Sequence, residues 1–207
     1  MGEEKREITM EQKILEAAEE LFLEKGFACI STTQIAREAG CNQALVHYYF
    51  RTKENLFQKI FEEKIRFFAT SFLAIDKEGG TFEERLIRKI ETHFDVLRKN
   101  PKLASLIVNE VITNPARIDG IKEKVGELPL KILATFQTDL DAEIKKGVIR
   151  NILLADFLMN ILFMNVSIFV FAPVFQRFTG ASNKDIEALL EHRKKENVEI
   201  ILRSLRP

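Results

Sequence analysis

STTQIAREAGCNQALVHYYF, residues 31–50, is the stretch that decides the fold. With Thr32 as the first of twenty positions, Ile35 and Ala36 fall at four and five. Ala39, Gly40 and Cys41 fall at eight, nine and ten, Val46 at fifteen and Tyr49 at eighteen. This is the spacing of a helix-turn-helix. Ala36 is small where two helices must cross closely, and Gly40 has the backbone freedom to turn the chain after the first short helix. Ile35, Ala39, Cys41 and Val46 make the apolar seam between the two helices. Asn42 is suited to cap the second one, which puts Gln43, Ala44 and His47 on its outward face. On spacing alone, an ordinary αα-corner fits the same stretch.

Outward from here the chain keeps reading as helix. Thr9 with Gln12, Ser31 with Gln34 and Thr81 with Glu84 fit the capping-box pattern, and Ser182 with Asp185 is a weaker relative. Ile14, Leu15, Ala18, Leu21 and Phe22 keep helical spacing until Gly26 stops the run. A long helix starts near Lys53 and runs towards Ile75, where Gly79-Gly80 breaks the pattern. Further helices are expected from Phe82 to Arg98, after Pro101, after Pro115 and after Pro129, with Gly147 ending the last of these. The final two run over 152–172 and 183–205. No stretch of apolar–polar alternation is long enough for a strand, so the fold class is all-α: a three-helix head and a larger helical body.

Composition narrows the classes of function. Hydrophobic residues make up 46% of the 207, enough for a packed core. The 31 basic and 31 acidic side chains cancel, so any nucleic-acid contact has to come from a local patch. Residues 1–54 hold seven basic and ten acidic side chains, a net of −3. Between Gly26 and Lys53, however, Arg37, Arg51 and Lys53 face only Glu38. Few phosphate neutralisations per head are therefore expected, and a modest salt dependence. Cys29 and Cys41 are too few for a disulfide framework and lack metal-ligand spacing, which fits a reduced, cytoplasmic setting. The charged Met-Gly-Glu-Glu-Lys-Arg-Glu start precedes no apolar run, so no secretory signal is expected. Ile152 to Phe175 is long enough to span a membrane. It nonetheless carries Asp156, Asn160, Asn165 and Ser167 and reaches Pro173, so a soluble helix is expected.

The surroundings of the helix-turn-helix add a stronger signal. Ala17-Ala18, Leu21-Phe22, Gly26-Phe27, Ile35-Ala36, Ala39-Gly40, Tyr49-Phe50, Lys53-Glu54 and Leu56 together resemble the TetR family of transcriptional regulators. The resemblance covers about residues 8–68, which sets a DNA-binding domain at 8–68 (motif 31–50) and a ligand-binding and dimerisation domain at 69–207. It implies that the second short helix enters the major groove of duplex DNA and that a two-fold dimer binds a near-palindromic operator. Thr32 and Thr33 then open the first short helix against phosphate. Gln43, Ala44 and His47 read base edges, with Gln43 bonding adenine N6 and N7 bidentately and Ala44 touching a thymine methyl. Tyr48, Tyr49 and Lys53 anchor flanking phosphates. Two positions depart from the family pattern: His47 stands where tyrosine is common, and Leu45 where a small or hydroxylated residue is.

Beyond the head, 14 of the 17 phenylalanines follow Phe50. Phe67, Phe68, Phe72, Phe94, Phe136, Phe157 and Phe163 are expected to fill the core. The helix over 152–172 is apolar on nearly every side and must be covered on both faces. The last helix carries Ile186, Leu189, Leu190, Val198, Ile201, Leu202 and Leu205. In the TetR-like fold these two helices pair with their copies, so a homodimer through them is expected. The resemblance also implies a small-molecule effector inside the body, for which a Phe-rich interior suits an apolar or amphipathic ligand. His93, Asn109, Asn160 and Asn165 are the candidate polar liners. With three histidines, two separated cysteines and no glycine-rich phosphate loop, no catalytic constellation, metal set or cofactor motif is present in the sequence. The expected activity is transcriptional regulation, by repression. The alternative is a dimeric ligand-sensing or interaction module whose head no longer reads DNA.

Overall fold

The computed structural model describes residues 9–106, 108–109 and 115–207. Residue 8, the expected start of the head, and the side chain of Phe68 lie outside what is described. Among the described residues there are ten helices and no strand. They are α1 (Met10–Lys25), α2 (Thr32–Glu38), α3 (Gln43–Phe50), α4 (Lys53–Lys77), α5 (Phe82–Lys99), α6 (Pro101–Leu106), α7 (Pro115–Val125), α8 (Leu128–Lys145), α9 (Leu154–Thr179) and α10 (Asn183–Ser204). Two compact units form, Met1–Lys64 with Leu106–Lys124 and Ile65–Ser105 with Val125–Pro207. The unbroken α4 contributes its first half to one and its second half to the other.

The helix starts follow from side chains that satisfy orphan N–H groups. Thr9, Ser31, Thr81 and Ser182 each accept from the backbone three residues on, and Gln12, Gln34, Glu84 and Asp185 each reach back, closing four capping boxes. α1 buries Ile14, Leu15, Ala17, Ala18, Leu21 and Phe22. Phe22 meets Phe27 and Phe57 at ring-centroid distances of 5.5 and 5.6 Å, and Phe57 meets Phe61 at 4.6 Å, forming the aromatic heart of the head.

In the body, Phe72, Leu86, Ile90, Phe136, Leu140, Phe157, Ile161 and Ile201 form one buried cluster, and Phe94, Leu97, Phe169 and Leu190 form a second. Two expected core residues are not core. Phe67 and Phe163 are both 61% exposed, and Phe163 sits on the opposite side of α9 from buried Phe157, Ile161 and Asn165. A second departure is the length of α9, which passes Pro173 and continues to Thr179. Proline removes a single N–H from the helical ladder, and the stop comes instead from Gly180, whose φ of 69° is left-handed. A charged group also lies in the interior: Lys89, 3% exposed, bonds Asp76 at 2.6 Å and stands 4.6 Å from the Phe136 ring centroid.

Candidate nucleic-acid interface and effector cavity

α2 and α3 meet through a turn in which Gly40 takes φ 68° and the Cys41 N–H donates to the Ala36 carbonyl at 2.9 Å. Ile35, Ala36 and Val46 are buried there, while Ala39 and Cys41 are half-buried. The Asn42 side chain accepts from the Leu45 N–H at 3.0 Å, so α3 begins at a capped end. Burial of Val46 and Phe50 leaves Gln43, Ala44, His47, Tyr48 and Tyr49 exposed, Tyr48 at 78%. Thr33 is exposed and Thr32 half-buried at the start of α2.

The polar groups of this face are tied to one another. Gln43 Nε2 donates to Thr32 Oγ1 at 2.9 Å and lies 3.3 Å from His47 Nε2. His47 Nδ1 lies 3.0 Å from the Arg51 carbonyl oxygen. Arg51 has φ 63° and ψ −52°, the one left-handed residue other than glycine among those described. The Thr52 N–H donates to the Phe50 carbonyl at 2.7 Å across it, which makes a γ-turn of the strained, positive-φ kind between α3 and α4. Lys53, expected at phosphate, is engaged inside the head. Its Nζ donates to the Phe27 and Ile30 carbonyls at 2.9 and 2.7 Å and sits 4.1 Å from the Phe27 ring centroid.

Residues 14–60 match the description "Bacterial regulatory proteins, tetR family". Over this segment the chain is similar to the tetR family. Among tetR-related proteins, the fatty acid metabolism regulator protein of Bacillus subtilis is 28% identical over 136 residues, 66% of each chain. That aligned stretch is just under two thirds of the relative's length. The regulator QacR of Staphylococcus aureus is 36% identical over 53 residues, 26% of this chain and 28% of its own. The solved structure of the transcriptional regulator FadR from Bacillus subtilis in complex with stearoyl-CoA shares the fold with a TM-score of 0.72 at 23% identity, over 94% of this chain and 98% of that one. The tetR family is one of regulators, not enzymes.

The body holds a cavity of about 220 Å³. Its lining is Ile65, Ala69, Phe72, Pro129, Ile132, Leu133, Phe136, Leu158, Ile161 and Leu162, with His93 the sole polar member among the described residues. Of the four candidate liners, His93 lines the cavity and Asn165 bonds it from behind, while Asn109 and Asn160 are exposed. Asn165 is fully buried and its Nδ2 donates to the Ile90 carbonyl at 2.9 Å. A carbonyl only accepts, so this contact fixes the amide's orientation. The same Nδ2 lies 3.2 Å from His93 Nδ1, which therefore accepts and carries no proton. Burial reinforces this neutral form and holds the imidazole well below its usual range, at about 4.

Sequence reasoning missed the far end of this chain of bonds. Asn197 donates to Asn165 Oδ1 at 2.9 Å and to the Met164 carbonyl at 3.0 Å, and accepts from Arg193 at 2.7 Å. The available signal was placement. Asn197 lies seven residues after buried Leu190 and four before buried Ile201, a polar residue in the middle of an apolar stripe.

Proposed function

We propose that this protein is a DNA-binding transcriptional repressor that holds a near-palindromic operator as a homodimer and releases it when a small apolar or amphipathic ligand enters the body. The observation that carries the DNA reading is the outward face of α3. Gln43, Ala44, His47 and Tyr48 stand exposed there, inside the segment 14–60 that carries the family match. Few cations accompany them, and Lys53 is already bonded to carbonyls, so the affinity rests on a small number of phosphate contacts. Selection of bound duplexes from a randomised pool tests this. Enrichment of a palindrome supports it. Failure of folded protein to enrich any duplex at low salt sinks it and leaves the interaction-module reading.

The dimer reading draws on α9. It is the one helix among the described residues that is long and apolar enough to cross a membrane, with a mean hydropathy of 2.0. One side packs on the body through Phe157, Ile161, Asn165, Phe169 and Ala172, while Met159, Phe163, Phe171, Phe175 and Phe178 face outward. Asp156 and Asn160 on the exposed surface and hydrogen-bonded Asn165 in the interior favour a second copy over lipid as the cover, in a cytoplasmic protein. A monomer in sedimentation at micromolar protein would remove the dimer.

For the effector, the apolar cavity capped by His93 fits the hydrocarbon end of a ligand. At about 220 Å³ it lies below the ~300–1,000 Å³ typical of sites that enclose a whole drug-sized molecule. The neighbouring fold solved with stearoyl-CoA makes a long-chain acyl thioester the first compound to test. Such a ligand acts as a switch only if it prefers the conformation that DNA disfavours. Release of the enriched duplex by stearoyl-CoA, but not by coenzyme A alone, is the expected result; no release by acyl compounds would overturn the effector class.

A further inference from the structure

We infer that His47 fixes the side-chain amide of Gln43 so that only its carbonyl oxygen is presented to DNA, making Gln43 a reader of bases that carry an amino group in the major groove. The inference rests on the operator-binding reading above and deepens it.

The Arg51 carbonyl can only accept, and it lies 3.0 Å from His47 Nδ1. It is turned back onto α3 because Arg51 adopts φ 63°, with the Thr52 N–H closing the γ-turn on the Phe50 carbonyl. In neutral His47 the proton therefore sits on Nδ1, and Nε2 is left with a lone pair. The Gln43 atom 3.3 Å from Nε2 must be a donor, which identifies it as the amide nitrogen. Its other hydrogen goes to Thr32 Oγ1 at 2.9 Å. Both amide hydrogens are thereby used within the head, and Oε1 is what remains for the solvent side.

The consequence departs from the bidentate adenine contact expected from sequence, which needs one N–H and the oxygen together. An acceptor alone pairs with adenine N6 or cytosine N4. It opposes guanine O6 and thymine O4, which are acceptors themselves. Gln43 then admits adenine or cytosine at one position of each half-site and rejects guanine and thymine. His47 is a positioning residue here: it acts through Gln43.

The test is selection from randomised duplexes with the full-length protein, His47→Phe and Gln43→Ala, with helical circular dichroism confirming that each is folded. The expected wild-type result is a palindrome with adenine and cytosine both accepted at one position per half-site. Guanine or thymine there should weaken binding about ten-fold. His47→Phe frees an amide hydrogen, so the preference narrows to adenine, and Gln43→Ala erases it. A palindrome in which every position is adenine-only, guanine or thymine in the wild type, or in which His47→Phe changes affinity without changing base preference, overturns the inference while leaving the operator reading intact. No palindrome at all removes the operator reading and the inference with it. Nitrogen-15 shifts of the His47 ring in the DNA-free protein, in its neutral form, give a second readout. Protonation at Nδ1 is expected, and protonation at Nε2 overturns the orientation whatever the protein binds.

Discussion

Acidification should destabilise the body through one identifiable side chain, His93. Its imidazole is held at about 4 by burial, against 6.5 for an exposed histidine. Between these two values the unfolded chain binds a proton that the folded chain refuses, so the unfolded state holds more protons and stability falls as the pH falls. The contribution is complete above the unfolded value and is lost on descending to the folded one. The slope is about 1.4 kcal/mol per pH unit and the whole window is worth about 3 kcal/mol. The geometry acts in the same direction as burial, because a proton on Nδ1 would face the Asn165 amide hydrogens. On the far side of Asn165, Asn197 of α10 donates to its Oδ1 and Arg193 donates in turn to Asn197 Oδ1. Carboxylates elsewhere titrate over part of the same range, so the assay must be a difference. Urea denaturation followed by helical circular dichroism, at fixed protein concentration, would compare the wild type with His93→Gln, whose neutral amide still accepts from Asn165. The gap between the two should shift by about 2.5 kcal/mol between about pH 7 and about pH 4.5, with the wild type losing more. Parallel curves would refute the reasoning and mean that His93 is hydrated or protonated in the folded state.

Further outcomes follow from other contacts. Asn165→Leu should cost about 3 kcal/mol, because it strands an Asn197 N–H and the His93 acceptor in the interior; a loss below about 1 kcal/mol in the same denaturation assay would show that the bonds are remade elsewhere. Asn165→Leu and Asn197→Leu should cost less together than the sum of their separate effects, and strict additivity would argue against a connected chain. Lys53→Met removes two bonds to carbonyls and a ring contact from a half-exposed site, so about 1–2 kcal/mol should be lost. Amide exchange should accelerate around Phe27 to Ile30, and unchanged protection there would contradict a structural role. Arg51→Gly should raise stability by about 1 kcal/mol, since glycine takes the left-handed φ of 63° without the Cβ penalty; destabilisation would mean that the arginine side chain makes up for its strain.

Local features were the legible ones. The four capping boxes, the Gly40 turn, the Asn42 cap and the exposed face of α3 could be read directly, because each depends on residues within a few positions of one another. Proline was misleading in α9, where Pro173 suggested an end; one missing N–H does not outweigh a long apolar run, and the chain stops at Gly180 instead. What stayed hidden depended on distant partners. The bonds of Lys53 were hidden because nothing in the sequence says that the carbonyls of residues 27 and 30 lie within its reach. The pairing of His93 with Asn165 required knowing that α5 and α9 pack together, and Asn197 was passed over because it lies among charged neighbours on α10. The orientation of the Gln43 amide is a deeper case still. It depends on a backbone carbonyl eight residues away, turned by a φ value that an arginine seldom adopts.

The shortness of the link between α3 and α4 has a consequence for how such a head can change over generations. Only Arg51 and Thr52 separate the end of one helix from the start of the next, and they are already folded into the tightest of turns. Every residue added to α3 would rotate its reading face by about 100° about the helix axis, and the connector has no slack to absorb this. Binding preference in this lineage is thus free to drift by substitution on a helix of fixed length and closed to drift by insertion or deletion. For anyone grafting a new reading helix onto this head, residues 43–50 form a cassette to be exchanged one for one.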